Sequence, residues 1–472
     1  MSSAAGDAGD GGGLKPLWGG RFSKGPAGEA HALGVSLHFD VRFASEDIEA
    51  SVAHVHALQD AGLLTAGETE SLVEALRGIW GEEDDDIVVE LPVQDEDIHM
   101  LHERKVTEAL GDLGAKLHAG RSRNDLVVTD FRLWLLAEGV AIAEDAADLV
   151  RTLARRSRET ADMVMPGFTH NRPAQVVTVG YVLAAHAFAL LRDLERLDQW
   201  SARTSVSPLG AGAIATSTLG LDPAKTAERL GFVRPFDNAL DAIADRDFAL
   251  EFLSVCSILA LHLSRLAADV ARWSEPALGF AHLDDAYSTG SSMMPQKRNP
   301  DVAELARGKA GRIAGDLVTL TTILAGLPLG YHRDLQEDKE PVFDAAETLE
   351  LVLPALSGCI GTLRFDAGSM RAASMDEGLY ATDIAEALVI AGVPFREAHR
   401  ATGELLKSLA EEGRGLRDLH DDGWSAFGLK DGASLLDPDA SVRARNMPGG
   451  PAPDRVREQC DAIETAVDTP WS

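Results

Sequence analysis

The stretch FALEFLSVCSILALHLSRLAADVARW, residues 248–273, gives the strongest indication of the fold. Its apolar side chains recur every three or four residues over about seven turns of a helix with roughly 3.6 residues per turn. We therefore predict one long helix here. The same spacing recurs in 183–197 and 127–135, with charged side chains between the apolar positions, which indicates further helices that pack against partners. Clear two-residue alternation is scarce, and stretches such as 87–89 are too short to build a major sheet, so the fold should be mainly α.

Two more helices are predicted beside loops rich in glycine, serine and threonine. Asn299 as N-cap and Pro300 at the first helical position predict a helix that continues past Ile313. The uncharged segment 173–191 approaches the roughly 20 residues that span a bilayer. Its polar residues, such as Gln175, indicate a buried helix instead.

Composition shifts predict a disordered tail followed by three helical domains. The first 13 residues are mostly Gly, Ala, Ser and Asp, with no basic start and no apolar stretch, so they do not resemble a secretion signal. An acidic loop around 82–97 ends the first domain, and a break near 367–378 opens the last. The predicted bounds are 1–13 for the tail, 14–119 for the N-terminal domain, 120–370 for the central helical bundle and 371–472 for the C-terminal domain.

Charge and cysteine content exclude several classes of partner. Seventy-five acidic and 44 basic side chains give a net charge of −31, which repels nucleic-acid phosphates and anionic lipid headgroups. The three cysteines are far apart and form no CxxC pair, which argues against a disulfide framework or a cysteine-rich zinc site. We therefore expect no nucleic-acid partner, no membrane association and a reducing cytoplasmic setting.

The most informative loop is STGSSMMPQKRNPD, residues 288–301. Two serines follow a glycine, and a lysine, an arginine and a helix N-terminus come just downstream. Backbone amides, an ammonium group and the positive helix end can together surround an anion. The alternative interpretation is a flexible linker whose basic residues are only solvated.

Two further clusters carry polar groups suited to chemistry. The segment PGFTHNRPAQ, residues 166–175, places Thr169 and His170 just before the uncharged segment, and a histidine can transfer a proton near neutral pH. Its alternative is a polar cap or a surface histidine. The segment GRSRND, residues 120–125, offers donors for a carboxylate, and its alternative is simple helix capping.

Metal and nucleotide motifs are weak or missing in the sequence. His99 and His102 lie three residues apart, but they form no HExxH arrangement and no further ligand set accompanies them. Neither a GxGxxG nor a GxxxxGK[ST] phosphate loop occurs. We therefore expect no metal and no external cofactor.

Taken together, the three clusters resemble the fumarase and aspartase superfamily, whose signature GSSxMPxKxNP matches residues 290–300. The resemblance narrows to the argininosuccinate lyase family and covers essentially the whole chain after Leu14. The supporting segments are WGGRF (18–22), SLHFD (36–40), DEDIH (95–99), RSRND (121–125), MPGFTH (165–170), SPLGAGA (207–213), DRDF (245–248), YHRDLQEDKEPVFD (331–344) and GGPAP (449–453).

This resemblance implies a reversible elimination that splits argininosuccinate into arginine and fumarate without an external cofactor, a step of arginine biosynthesis. It implies three mostly helical domains and a homotetramer with a 20-helix core. It also implies active sites shared between subunits, with the segments that carry Asn124, His170 and Ser291 contributed by three different chains.

The resemblance also assigns roles to individual residues. Ser291 matches the base, its alkoxide supported by loop amides, and Lys297 matches the group that faces the developing carboxylate charge. His170 matches the histidine that transfers a proton at the leaving nitrogen, and Glu304 matches its carboxylate partner. The reverse assignment of acid and base stays open. Positions that match substrate contacts are Ser36, Asp40, Asp97, Ser122, Arg123, Asn124, Thr169, Arg246, Asn299, Tyr331, Gln336 and Lys339.

The chain departs from the family pattern at three places. The usual THLQ reads THNR here, with Asn171 and Arg172. The usual RSRNDQ ends in Leu126, and Met100 follows DEDIH where a small polar residue is frequent. Arg172 either points outward or adapts the site to another amine, so a carbon–nitrogen lyase acting on another N-substituted aspartate is the alternative activity. A structural protein on a lyase scaffold, like the lens crystallins that resemble this family, is the non-enzymatic alternative. Retention of the four matched catalytic residues argues against it.

Overall fold

The computed structural model describes residues 27–83 and 95–469. The predicted tail over 1–13, the stretch 87–89 and most of the acidic loop 82–97 lie outside these residues. Helices dominate the described chain, which confirms the mainly α prediction. The α-helices are α1 (Gly28–Gly34), α2 (Leu37–Asp40), α3 (Ala44–Asp60), α4 (Ala66–Glu83), α5 (Ile98–Leu110), α6 (Arg123–Glu159), α7 (Val179–Thr204), α8 (Pro223–Arg229), α9 (Ala239–Ala244), α10 (Asp247–Trp273), α11 (Asp301–Leu324), α12 (Glu340–Thr362), α13 (Ala367–Ala373), α14 (Ala381–Ile390), α15 (Phe395–Glu411), α16 (Asp421–Ala426), α17 (Pro438–Ala444) and α18 (Pro453–Val467).

The strands form three two-stranded sheets, and short 3₁₀ helices connect several elements. The strand pairs are β1 (Val164–Thr169) with β2 (Arg172–Thr178), β3 (Val206–Ser207) with β4 (Arg234–Pro235), and β5 (Ala281–His282) with β6 (Arg364–Phe365). The 3₁₀ helices are Val41–Phe43, Gly114–His118, Asp285–Tyr287, Arg333–Asp338, Glu377–Tyr380, Leu416–Asp418 and Gly432–Leu436.

Helices α6, α7 and α10 confirm the predictions made from apolar spacing. Along α10, Phe252 and Leu259 are fully buried and Leu263 is nearly so, as an apolar stripe on one face requires. By length and composition alone, α10 is also apolar enough to cross a membrane, with a mean hydropathy of 1.5 over its best window. Half of that window is buried inside the protein, and the core helix of a soluble protein meets the same criteria.

One compact unit comprises the described residues within Met1–Ala137, Ala202–Phe248 and Thr322–Glu340. Helices α3, α4 and α5 pack around buried side chains such as Val55, Leu72 and Val106. The ring of Phe131 lies 5.7 Å from that of Phe43 and 5.3 Å from that of Phe248, forming an aromatic cluster around the first turns of α6. These contacts hold the start of α6, where several of the predicted site residues lie.

The other compact unit comprises Glu138–Ser201, Ala249–Thr321 and Pro341–Ser472. The rings of Trp200 and Phe252 lie 5.0 Å apart and join α7 to α10. A second core gathers Tyr380, Leu388 and Trp424 with Val176 of β2, so the C-terminal helices pack against the hairpin β1–β2. The division of the chain into three domains at residues 119 and 370 stays a prediction.

Part of the predicted buried helix over 173–191 is wrong. Its first residues belong to β2, which pairs antiparallel with β1, and α7 begins only at Val179. The run Val176–Thr178 is β-branched, a composition that favours strands, and Pro173 lies next to a register irregularity where a missing N–H is tolerated. The uncharged segment is therefore half of a hairpin followed by a helix.

The helix predicted at Asn299 begins slightly later, with Asp301 as its first residue. Asn299 is extended, because its backbone pairs with that of Thr289 through N–H to O distances of 2.9 and 3.3 Å. Pro300 instead supplies the carbonyl that accepts the Glu304 N–H. The helix continues past Ile313, as predicted.

Candidate active site

A cavity of about 140 Å³ in the first unit, here called the Asp40 cavity, gathers residues from four parts of the chain. They come from α2 and the residue before it, the start of α5, the start of α6 and the segment 331–339. The lining residues are Ser36, Asp40, Asp97, His99, Arg123, Asn124, Val127, Tyr331, Arg333, Gln336 and Lys339. Eight of these eleven match predicted substrate contacts, all except His99, Val127 and Arg333. A larger cavity of about 640 Å³ elsewhere in the same unit is lined by none of the predicted site residues.

The carboxylates of the Asp40 cavity are held by local hydrogen bonds. Ser36 donates its hydroxyl to Asp40, which is only 3% exposed. Burial raises the pKa of the Asp40 carboxyl, and the Lys339 charge opposes that rise. Asp40 Oδ1 has no hydrogen-bond partner among the described residues, so a cationic ligand group would find an acceptor there. Asp97 caps α5 by accepting the Met100 N–H at 2.8 Å and also accepts from Arg123 at 3.0 Å.

The cationic side of the cavity depends on Asp338, which is fully buried. Its carboxylate accepts from Lys339 Nζ at 2.9 Å and forms a short ion pair with Arg246. Burial alone would raise the pKa of Asp338, but the charges of Lys339 and Arg246 outweigh burial and hold that pKa below its ordinary value. Lys339 lines the cavity, whereas Arg246, 2% exposed, is not among the lining residues.

The turn before α6 is tied to a distant glycine-rich segment. Asp125 accepts N–H groups from Ser122 at 3.0 Å, Gly210 at 3.0 Å and Gly212 at 2.8 Å. The Ser122 hydroxyl accepts the Asn124 N–H at 3.2 Å, so Ser122 caps the helix and does not line the cavity. This bonding directs the first turn of α6 toward the cavity.

Two of the departures from the family pattern have a clear place in the structure. Leu126 is buried in a small apolar cluster with Ala50 and Leu209, so this departure serves packing. Arg172 is exposed at the start of β2, directly opposite Thr169 in the ladder. Cross-strand pairs project from the same face of a hairpin, so the two side chains are neighbours there.

In the second unit, His170 lies at the tip of the β1–β2 hairpin. The prediction that it directly precedes a helix is wrong, because β2 follows it. His170 and Asn171 have positive φ angles of 50° and 58°, the pattern of a two-residue type I′ turn. Thr169 pairs with Arg172 across this turn. The hairpin therefore presents Thr169 and His170 at an exposed end.

The loop predicted to bind an anion is closed at its base by the Thr289–Asn299 bridge. Within it, Ser291 Oγ accepts the backbone N–H groups of Met293 at 3.3 Å and Met294 at 3.1 Å. Two amide donors on one hydroxyl oxygen would stabilise negative charge there. Lys297 is exposed within this loop.

Glu304 lies exposed in the first turn of α11. No hydrogen bond joins His170 to Glu304 among the described residues of the second unit. The pairing of these two side chains that the resemblance implies is therefore not formed within one chain.

A buried cluster around Asp47 was not predicted from the sequence. Its two oxygens lie 2.7 Å from His99 Nδ1 and 2.6 Å from His102 Nδ1, and Asp130 lies 3.4 Å from His99. Burial alone would raise the pKa of Asp47, but the two histidines lower that pKa well below its ordinary value. Asp130 behaves in the opposite way, because burial and the Asp47 charge raise its pKa well above the ordinary value. The ligand atoms of Asp47, His99 and Asp130 lie within 4.8 Å of one another, which also suits a cation. The three-residue spacing of the histidines on α5 could have indicated a common partner.

Similar proteins identify the class to which this fold belongs. A family model described as lyase matches residues 28–315. EDDS lyase in complex with formate is 26% identical, with a TM-score of 0.80 over 92% of this chain and 88% of that one. Class II fumarase from Schistosoma mansoni shares the fold at 16% identity, with a TM-score of 0.72 over 84% of this chain and 90% of that one. The chain is thus a lyase with the fumarase/aspartase fold.

More specific matches narrow the class. A model described as Argininosuccinate lyase C-terminal matches residues 378–443. The argininosuccinate lyase of Frankia casuarinae is 47% identical over 96% of this chain and 98% of its own length. The chain belongs to the argininosuccinate lyase family.

Proposed function

We propose that the chain cleaves argininosuccinate reversibly to arginine and fumarate, serving arginine biosynthesis in the cytoplasm. The observation that carries this proposal is the Asp40 cavity, where eight residues matched to substrate contacts of the family lie together. Carboxylates and cations face one cavity, as an amino-acid substrate with a guanidinium group and several carboxylates requires. Near full-length identity to argininosuccinate lyases supports the same activity.

In this proposal Ser291 removes a proton from the carbon next to a substrate carboxylate. The electron pair left behind moves onto that carboxylate, which then carries two negative charges. The amides of Met293 and Met294 stabilise the Ser291 oxygen as an alkoxide before it takes the proton and becomes a hydroxyl. Lys297 and Asn299 then stabilise the charged carboxylate. Holding this intermediate is the main electrostatic demand of the reaction.

The carbon–nitrogen bond then breaks as the electron pair returns to form the double bond of fumarate. The pair of electrons of the broken carbon–nitrogen bond stays on the leaving guanidino nitrogen, and His170 donates a proton to it there. Glu304 orients the His170 ring when the two meet in the assembled protein. Ser291 gains the proton taken from carbon and His170 loses the proton given to nitrogen, so the proposed reaction needs no external cofactor.

We further propose that the protein is a homotetramer whose sites combine residues from three subunits. Three long helices of the second unit expose large apolar side chains: Leu261 is 51% exposed, Leu305 60%, Val318 64% and Leu351 64%. Apolar side chains grouped on long helices favour burial against other copies of the chain. Such an assembly would also bring the separately placed Ser291, His170 and Glu304 together.

Steady-state release of fumarate from argininosuccinate tests the activity. We expect turnover by the wild type and a fall in kcat of about 10²- to 10⁴-fold in Ser291→Ala and in His170→Asn. Ser292→Ala, in the same loop, is the matched control and should retain wild-type kcat. A wild type without turnover would contradict the proposed activity, and unchanged rates in both variants would remove their catalytic roles.

A second candidate is a lyase that releases fumarate from another N-substituted aspartate. The similarity to EDDS lyase and the exposed Arg172 beside Thr169 favour it. The discriminating experiment compares kcat/KM for argininosuccinate with that for aspartate-derived secondary amines, in the wild type and in Arg172→Gln. A higher kcat/KM for the secondary amines, reversed in Arg172→Gln, would replace the first proposal by this one.

A further inference from the structure

Arg272, in the last turn of α10, contacts the turn that carries His170. The Arg272 guanidinium carbon lies 4.1 Å from the centre of the Phe168 ring, within the range of a cation–π contact. One of its N–H groups donates to Asn171 Oδ1 at 3.4 Å. Phe168 and Asn171 lie on either side of Thr169 and His170, so Arg272 binds both flanks of the turn.

This turn needs support because its conformation is costly for the residues it contains. A positive φ is uncommon for residues other than glycine, and asparagine tolerates it far better than most. Here both His170 and Asn171 adopt it. Leucine at position 171 would offer no acceptor, so the bond from Arg272 depends on the Asn171 amide.

We propose that Arg272 is a positioning residue for His170, which it orients through Phe168 and Asn171 without touching the substrate. This inference rests on the proposed function, in which His170 transfers a proton. Proton transfer depends on the placement of the ring to within a fraction of an ångström. A turn fixed on both flanks places the His170 ring reproducibly. Without these contacts, a two-residue turn at an exposed hairpin tip can change its orientation.

Steady-state kinetics of three variants provide the first half of the test. Arg272→Ala should lower kcat roughly tenfold to a hundredfold while KM changes less than about twofold, since alignment is lost and substrate binding is not. Arg272→Lys keeps the cation over Phe168 and should retain part of the rate. Arg400→Ala, exposed on α15 and away from the proposed interface helices, is the matched control and should keep wild-type kcat.

Asn171 provides the second half of the test. Asn171→Gly allows the positive φ but removes the acceptor, so it should lower kcat by less than Arg272→Ala. In the Asn171→Gly background, Arg272→Ala should cost less than it does in the wild type, because part of its contact is already gone. Full additivity of the two substitutions would overturn the coupling through Asn171.

Hydrogen exchange measured by mass spectrometry on peptides spanning 164–178 separates this inference from the proposed function. We expect faster exchange near residues 168–172 in Arg272→Ala and wild-type exchange in Arg400→Ala, whether or not the protein turns over argininosuccinate. Unchanged exchange in Arg272→Ala, or a rise in KM at constant kcat, would overturn the positioning role. Absence of wild-type turnover would instead count against the proposed function and leave the exchange result to decide whether Arg272 holds the turn.

Discussion

Two buried cations of the first unit, Arg246 and Lys339, share the single carboxylate of Asp338. Asp338→Asn would remove the carboxylate that pairs directly with both buried charges, so we expect a loss of about 3–5 kcal/mol in the free energy of unfolding and a higher KM as Lys339 shifts. Because the folded pKa of Asp338 is depressed, its contribution is fully present above the ordinary carboxyl pKa of 3.8 and is lost as pH falls through the folded pKa. Urea unfolding at neutral and acidic pH measures the loss of stability and its pH dependence, and steady-state kinetics measures KM. Asp334→Asn, exposed in the same segment, is the control, and equal losses in the two variants would contradict the prediction.

Asp316 is a residue whose charge should oppose folding at neutral pH. Burial, together with the neighbouring Asp344 carboxylate, raises the pKa of Asp316 to about 7. The folded chain then keeps a proton that the unfolded chain has lost, so stability falls as pH rises from 3.8 to about 7 and stays lower above it. Asp316→Asn should therefore raise the thermal midpoint at about pH 8 more than at about pH 4. Glu350→Gln, exposed on α12, should show no such pH difference, and a pH-independent shift in Asp316→Asn would refute the explanation.

At the scale of elements, the crossing of α6 and α7 fixes the base of the hairpin that carries His170. A Cβ added at Gly180 would lie 2.2 Å from the Ser157 carbonyl oxygen and 3.0 Å from Ala161 Cα, so the two backbones would have to separate. Gly180→Ala should cost about 1–3 kcal/mol in urea unfolding and lower kcat by displacing the hairpin. Gly403→Ala, in α15 with open space at its Cβ, should instead stabilise by about 0.4–1 kcal/mol. Equal changes in the free energy of unfolding for the two substitutions would show that the crossing can accommodate an added Cβ.

Elements also show how far the sequence alone can predict this protein. The long helices could be predicted because an apolar stripe on one face is a property of the local sequence. The hairpin could not be predicted in this way, since residues 173–178 carry no charge and no alternation of polar and apolar side chains. The local signals of the hairpin are the β-branched run 176–178 and the two-residue turn at 170–171. In the site, family motifs identified eight of the eleven residues that line the Asp40 cavity. The role of Asp338 was hidden, because its partner Arg246 lies 92 positions away in the chain.

For the whole molecule, the exposed apolar side chains of α10, α11 and α12 predict assembly. Leu305→Glu would place a charge in the proposed interface, and we expect the mass measured by light scattering to fall from four times the 50.3 kDa chain mass, with loss of activity. Ile390→Glu, at a site that is 88% exposed near the end of α14, is the matched control and should leave the mass unchanged. A wild type that is monomeric and fully active would exclude the tetramer.

Shared active sites make a sharper prediction for the assembled molecule. If Ser291 and His170 of one site belong to different chains, a random tetramer of Ser291→Ala and His170→Asn chains holds about a quarter of its sites with neither substitution. Mixing the two inactive proteins, dissociating them and letting them reassemble should then restore up to about a quarter of wild-type turnover. If both residues of a site came from one chain, every site would carry a substitution and no activity would return. Each variant taken alone through the same cycle is the control, and mixed tetramers verified by differently tagged chains yet lacking turnover would contradict the shared site.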